Sequence, residues 1–419
     1  MQHATNFLSP SLTRARLAAM SVLFCNGVIY ASWGTHVPTI KDKFDLSDAN
    51  LSLSMLAVAL GGILIMAWAG RWIARVGSAS ASVKSALLMF MAAFGILLVP
   101  QYALLLFWLA LYGATSAVND VAANSQGALI EAAFERPVIG SLHGSFSLGG
   151  MIGALVSSGW QAMGWPDQWH LAVVCVLCAV LILSTSRWLL PESAHVPANA
   201  LPNDASAKDG PSKDGASSDA AANPALADGK LAPGLKRKLV VLGMLAFLAL
   251  IVEGAMYDWT AVYMREVALA TGGFVSAGYA AFSIGMAAGR FSGDPVRARF
   301  SEGALVVASC ALCSVGLGLA LLLPGVSTAL GGFLLCGLGT ANIIPVMFSS
   351  AGRMALASGG SASNGLAVTT RLAYMGLLVG PVIVGFIAHH ADLRTAMALT
   401  LLGVLAIAAV SPRVFRFSL

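Results

Sequence analysis

Charge is what this chain has least of. Asp, Glu, Lys and Arg together make up 10% of its 419 residues, against 58% hydrophobic residues. A soluble domain carries about 25% charged residues, so a water-facing exterior cannot be built from this composition. Familiar catalytic signatures are missing as well. The seven histidines (positions 3, 36, 143, 170, 195, 389 and 390) form neither HExxH nor H-x-x-x-H, which leaves no zinc helix of the protease type. No G-x-x-x-x-G-K-[ST] sequence occurs, so the chain does not hydrolyse ATP through a P-loop. The basic residues lie scattered in short stretches and carry no nucleic-acid signal. Met1 to Pro10 has no basic n-region, and the Arg14/Arg16 pair precedes an apolar run too long for a cleaved leader. The first segment therefore reads as a retained anchor. Six cysteines include Cys175-x-x-Cys178 and Cys310-x-x-Cys313. Each pair sits inside an apolar run with no further ligand cluster, so they read as small hydrophobes. No metal and no cofactor is expected.

What the chain has in excess is apolar length. Hydrophobic segments fall at 15–37, 48–70, 81–99, 104–130, 138–160 and 168–190, and again at 237–264, 273–293, 303–323, 327–350, 362–388 and 393–411. Mean hydropathy is +0.80, and helices of about 20 apolar residues are the way such a chain exposes its surface to lipid. Glycine, 44 residues in all, suits helices that pack backbone on backbone in a membrane. Between the two sets lies a stretch rich in Pro, Gly, Ala, Ser, Asp and Lys and without an aromatic residue. It cannot bury enough apolar surface to offset its ordering entropy. The expected organisation is an N-terminal six-helix bundle (1–190), a flexible cytoplasmic linker (191–236) and a C-terminal six-helix bundle (237–419). With both termini inside, nineteen Lys and Arg lie on the cytoplasmic side and four outside (Lys41, Lys43, Arg265, Arg394), with Arg371 in a helix. That asymmetry sets the orientation.

The halves repeat. Asn26-Gly27-x-x-Tyr30 answers Glu253-Gly254-x-x-Tyr257, and Gly149-x-x-x-Gly153 answers Gly376-x-x-x-Gly380. Positions 27 to 254 and 149 to 376 share one offset of 227 residues. Parallel six-helix repeats imply a rocking transporter with its site at the midplane. After the second segment, Gly70-Arg71-x-x-Ala74-Arg75-x-Gly77 resembles the cytoplasmic G-x-x-x-D-R-x-G signature of the major facilitator superfamily, with Ala74 in place of its Asp. Arg290 and Asp294 stand in the matching turn of the second half. Four further stretches resemble the bacterial inner-membrane branch of that superfamily related to fucose permeases. They are Gly113-x-x-Ser116-x-x-Asn119-Asp120-x-x-x-Asn124, His143-Gly144-x-Phe146-Ser147, Glu253-Gly254-Ala255-x-x-Asp258-Trp259, and Gly337-x-Gly339-x-Ala341-Asn342-x-x-Pro345. The resemblance implies an all-α membrane fold of twelve helices in two pseudo-symmetric bundles. It also implies that segments 1, 4, 7 and 10 line a central cavity, and that a small polar solute, often a sugar, moves with protons.

Ionised side chains in a bilayer core are costly and should face water or a partner. The intramembrane acids are Asp120, Glu253 and Asp258. Ser116, Asp120 and Asn124 recur every fourth residue as one polar stripe, so Asp120 is the first candidate for a proton carrier and Glu253 the second. A permanent hydrogen bond to a neighbouring helix is the competing reading for each. Asp258 lies about 140° round the helix from Glu253, and reads as an outer-gate group or a cavity group. Tyr257, Asn26, Trp33, Asn119 and Asn342 are expected to bond or stack on a polar ligand. Trp33 and Trp259 read equally as interfacial belt residues. Arg371 requires a carboxylate, an anionic solute or an exit to the surface. His143 reads as a packing group or a titrating one. The expected function is proton-coupled transport by alternating access, in a monomer with both termini cytoplasmic in a bacterial inner membrane. Proton-driven efflux of a drug or metabolite is the second reading, and a membrane-embedded enzyme the third.

Overall fold

In a medium without water every backbone amide must find its partner inside the chain, and consecutive apolar residues satisfy that by coiling into helices. The computed structural model describes residues 10–134, 138–191, 233–297, 299–358 and 362–415. These residues form fourteen α-helices and no strand. They are α1 (Pro10–Lys43), α2 (Asp48–Val76), α3 (Ser78–Leu98), α4 (Tyr102–Phe134), α5 (Ile139–Ala162), α6 (Asp167–Thr185), α7 (Pro233–Glu266), α8 (Phe274–Phe291), α9 (Gly293–Arg297), α10 (Glu302–Leu322), α11 (Val326–Thr340), α12 (Ile343–Ala357), α13 (Ala362–His390) and α14 (Leu393–Phe415). Ten candidate spans are long and apolar enough to cross a membrane, with α11 and α12 merged in one of them. Leu64, Phe107, Leu177, Val180 and Leu402 stand exposed, as lipid-facing side chains do. Of the expected linker, 192–232 lies outside the described residues, and its last part is already helix from Pro233.

Helix ends follow local chemistry. Ser47 caps α2 by accepting from the Asn50 amide at 3.3 Å, and Ser301 caps α10 by accepting from the Ala304 amide at 3.4 Å. Gly77 closes α2 and opens α3 at φ 80°, a left-handed turn that favours glycine. The expected single segment 327–350 is divided in two. Pro345 has no amide to bond the Ala341 carbonyl, and the ladder resumes with the Val346 amide on the Asn342 carbonyl at 3.2 Å.

Packing repeats between the halves. α1 lies on α5, α2 and α3 on α4, and α6 on α3; in the second half α7 lies on α13, α8 and α10 on α11, and α14 on α10. The halves meet through α5 on α8, α2 on α13 and α1 on α7. Glycine makes the closest approaches possible. A Cβ on Gly149 or Gly153 would strike the backbone of Phe24 or Val28, and one on Gly376 or Gly380 that of Phe247 or Ile251. The two glycine pairs are 227 positions apart, but their partners, Phe24 to Phe247 and Val28 to Ile251, are separated by 223. The glycine contacts are therefore alike in the two halves, and they match Gly27 with Leu250 rather than with Gly254, a shift of four residues in the sequence correspondence.

Candidate functional site

Two faces of the helix bundle need distinguishing. The terminal face carries Pro10, Pro233 and Phe415; the loop face carries the ends of α1, α5, α7 and α13 and the starts of α2 and α8. At the loop face the halves are tied by charge. Arg265 of α7 pairs with Asp42 of α1 and donates to the Pro38 carbonyl at 2.8 Å. Lys41 reaches Glu266 across the seam and Asp48 beside it, both at 2.6 Å. Below this layer Ser158 donates to the Gly273 carbonyl and Ser276 to Gln161 Oε1, each at 2.6 Å. Gly34 admits Tyr257 and Tyr279, and Gly385 admits Ser52 and Trp259. These contacts close the loop face.

Beneath the closure lies an aromatic layer. Asn26, Tyr30 and Trp33 share one side of α1 because their spacings of four and three keep them in line. Tyr30 meets Tyr257 edge to face at 5.6 Å, Tyr257 lies 5.4 Å from Tyr279 and 5.1 Å from Phe282, and Trp33 stands 6.4 Å from Tyr112. Asp258 is 6% exposed and faces the Trp33 indole N–H. Tyr30, Tyr112 and Tyr279 lie within its electrostatic reach. No cation pairs with Asp258 among the described residues. The Asn26 Oδ1, Tyr112 and Tyr279 hydroxyl and Ser283 hydroxyl atoms are buried without a partner.

One layer towards the terminal face, Glu253 accepts from Arg290 at 3.0 Å, and Arg290 also donates to Ser147 of α5 at 2.7 Å. The ion pair is buried to about a fifth exposure or less on either side, and it joins α7, α8 and the first half. His143, one turn before Ser147, feels the Arg290 charge and is exposed. On α4 the Asn124 amide donates to Asp120 Oδ1 at 3.2 Å and to the Asp120 carbonyl at 2.9 Å. Tyr374 of α13 lies within electrostatic reach of both Asp120 and Glu253.

The structure thus brings together Trp33, Tyr257 and Asp258 in one layer, and Glu253, Arg290 and His143 in the next, while Asn26 lies beside Gly27, which packs on Phe146 and Gly150 of α5. Ser116, Asp120 and Asn124 line half-buried positions of α4. Asn119 does not join them. It is fully buried and donates to the Ser82 carbonyl at 2.6 Å and to Ser85 Oγ at 2.9 Å, clamping α3 to α4. Asn342 donates to the Gly289 carbonyl at 3.2 Å, a packing bond at the helix break. Arg371 is exposed and in no ion pair among the described residues. Nor is it the lone helical cation of the interior, since Arg290 occupies that role; Arg290 comes from the stretch assigned to the inner gate. Gly70 is half-buried and Arg75 exposed at the end of α2, Gly77 makes the turn, and Asp294 lies in α9. Trp259 is fully buried and is no belt residue.

Sequence reasoning missed the loop-face ion pairs, the reach of Arg290 and the tyrosine layer. A signal for the last existed: five of only seven tyrosines fall on segments 1, 4, 7 and 8. All six cysteines are free and buried, packed among helices; Cys175, for one, donates to the Phe90 carbonyl at 3.3 Å.

Residues 19–373 match the profile of the Major Facilitator Superfamily. Over 375 residues the sequence is 33% identical to the membrane protein MosC of Rhizobium meliloti, covering 89% of this chain and 84% of that one. Among solved structures, the nucleoside transporter NupG superposes with a TM-score of 0.69 at 12% identity, over 96% of this chain and 99% of that one. A single-residue variant of the E. coli fucose:proton symporter FucP does so with 0.60 at 14%, over 96% and 99%. At such identities the two structures speak for the fold alone.

Proposed function

The chain belongs to the Major Facilitator Superfamily, and from that premise we propose that it moves a small polar solute by proton-coupled alternating access. In this reading α11 and α12 count as one broken spanning unit and α9 as a connector. That makes twelve spans in two six-helix halves, 1–190 and 237–419, joined by the 191–236 linker. Nineteen Lys and Arg assigned to the terminal face against four at the loop face support a cytoplasmic terminal face in a bacterial inner membrane.

One observation carries the reading: exposure rises from one face of the central space to the other. Asn26, Trp33, Tyr257, Asp258 and Glu253 are each less than one tenth exposed. Asp120 and Asn124 are half-buried, and His143, Arg371 and Tyr374 are exposed. A site sealed on the loop side and graded towards the terminal side is an inward-facing state of a two-state carrier. Asp120 and Glu253 are the proton carriers in this reading. Asp120 has only a neighbouring amide as its partner, and Glu253 can exchange Arg290 for a proton as the halves rock. Asn26, Trp33, Tyr257, Asp258, Ser116 and Asn124 hold the solute.

Asp120→Asn tests the coupling. The variant keeps size and hydrogen bonding but cannot change charge. Accumulation against a gradient in proteoliposomes should be lost while exchange of labelled solute persists, because exchange needs no net proton movement. Normal pH-driven accumulation would remove Asp120 from the mechanism. Efflux is the second reading, and the aromatic layer favours it: Tyr30, Trp33, Tyr112, Tyr257, Tyr279 and Phe282 suit a ligand with an apolar face better than a polyol alone.

A further inference from the structure

The three interior acids are not alike in what answers their charge. Glu253 has Arg290 at 3.0 Å, and Asp120 has the Asn124 amide at 3.2 Å. Asp258 is 6% exposed and has no Lys, Arg or His in ion-pair range among the described residues. A buried carboxylate without a counter-ion is expensive. Its side-chain partner is the neutral Trp33 indole N–H, and Tyr30, Tyr112 and Tyr279 lie within its electrostatic reach, with Tyr257 joining Tyr30 to Tyr279 at 5.6 and 5.4 Å.

Resting on the transport reading above, we propose that the solute carries a small organic ammonium group, which binds between the Asp258 carboxylate and this aromatic layer. Aromatic faces attract a desolvated cation through their quadrupoles, and the carboxylate supplies the opposite full charge. The unpartnered atoms agree in kind. The Tyr112 and Tyr279 hydroxyl oxygens, both within electrostatic reach of Asp258, are buried without a partner and have lone pairs free. Two waiting hydroxyl oxygens suit the N–H or polarised C–H groups of an ammonium ion. The nearby guanidinium that would attract an anion is engaged: Arg290 is held by Glu253 and Ser147. An anionic solute would meet Asp258 head on.

The test compares isosteres that differ in charge on the purified full-length protein in detergent. Choline is set against 3,3-dimethyl-1-butanol, and glucosamine against glucose. Isothermal titration calorimetry and thermal shift read binding. The cationic member of at least one pair should bind at least about tenfold tighter than its neutral partner, a difference of about 1.4 kcal/mol. Asp258→Asn should erase that preference while leaving melting near the wild-type value. Because Asp258→Asn could fail to fold, Trp33→Leu supplies a second reading and should weaken the cation more than the alcohol. Equal binding within both pairs, a preference untouched by Asp258→Asn, or no binding by any of the four probes overturns the proposal. Should a broader screen then find a neutral or anionic solute accumulated by a pH gradient, the cation proposal falls and the transport reading stands. If cations bind but no solute on any gradient is moved, the reverse holds.

Discussion

The two halves share their packing and differ in their chemistry. α1 on α5 and α7 on α13 are pressed together by glycines at equivalent positions, Gly149 and Gly153 in one half and Gly376 and Gly380 in the other. Yet the first half presents Asp120 and Asn124, while the second presents Glu253, Asp258 and Arg290. The contrast shows which constraint each residue answers. A backbone approach that only glycine permits is fixed by the fold and must recur wherever the fold recurs. A polar side chain in the space between the halves is free of that demand.

The largest effect should come from attacking what the halves share. Gly149→Leu and Gly376→Leu each drive a side chain into a neighbouring backbone, where even a Cβ collides. Overpacking of this kind typically costs about 1–3 kcal/mol and can prevent folding. Both variants should lose most of their monodisperse yield in fluorescence size-exclusion chromatography, and to a similar degree. The correspondence between α1 and α7 is sharpened by Gly27→Ala against Gly254→Ala. A Cβ on Gly27 meets the Phe146 carbonyl and the Gly150 backbone, whereas one on Gly254 first meets the Leu377 Cδ1 at 3.3 Å. Gly27→Ala should lower the melting temperature clearly more than Gly254→Ala. Equal losses would mean that the two glycines occupy equivalent packing positions after all.

The next effect separates the halves by their acids. Glu253→Gln strands Arg290 in a site that is largely buried, and breaking one side of such a pair costs up to about 3–5 kcal/mol, somewhat less here because both side chains keep some exposure. Asp120→Asn leaves Asn124 with an amide to bond and should change melting by little. Transport should suffer in both, but only Glu253→Gln should also lose stability, and Arg290→Met in the same chain should restore melting without restoring accumulation. Equal melting of Asp120→Asn and Glu253→Gln would deny the ion pair its structural weight.

Much of this architecture is legible in the sequence, and the failures have physical reasons. Apolar runs locate ten candidate spans, because a helix bonds its backbone amides within its own segment, and the break at Asn342 is visible afterwards in Pro345. The stripe Ser116, Asp120, Asn124 is a periodicity argument and places those three correctly on one side of α4. Asn119 belongs to no such stripe. It lies about 100° round the helix from Asp120, towards α3, so its inclusion among solute contacts ignored the helix's own geometry. Arg290 escaped for a different reason. Its backbone lies near the end of α8, while its long side chain reaches the level of Glu253, which no residue count reveals. The Lys41–Glu266 and Asp42–Arg265 pairs join segments more than two hundred positions apart, and only the fold brings them together.

The smallest effect concerns those loop-face pairs, and it tests whether the closure is held by charge or by packing. Lys41 and Arg265 bridge the halves, but they lie at a partly exposed rim, with side-chain exposures of 15% and 23%, and Asp42 is 71% exposed. Pairs in such surroundings contribute about 0.2–1 kcal/mol each. Lys41→Ala with Arg265→Ala should therefore loosen the closed loop face rather than abolish it, raising the open population by only a few-fold. Spin labels at Asp45 and Leu269, exposed positions on opposite halves, read the separation by pulsed dipolar spectroscopy. Wild-type protein should show mostly the short distance, and the double variant a larger long-distance fraction. High salt should move the wild type in the same direction, because it screens exposed pairs, and leave the variant unchanged. If the variant matches the wild type in both salts, the closure rests on the layer below. There Gly34 receives Tyr257 and Tyr279, and Ser158 and Ser276 bond across the seam. The charges would then guide the approach of the halves without holding them.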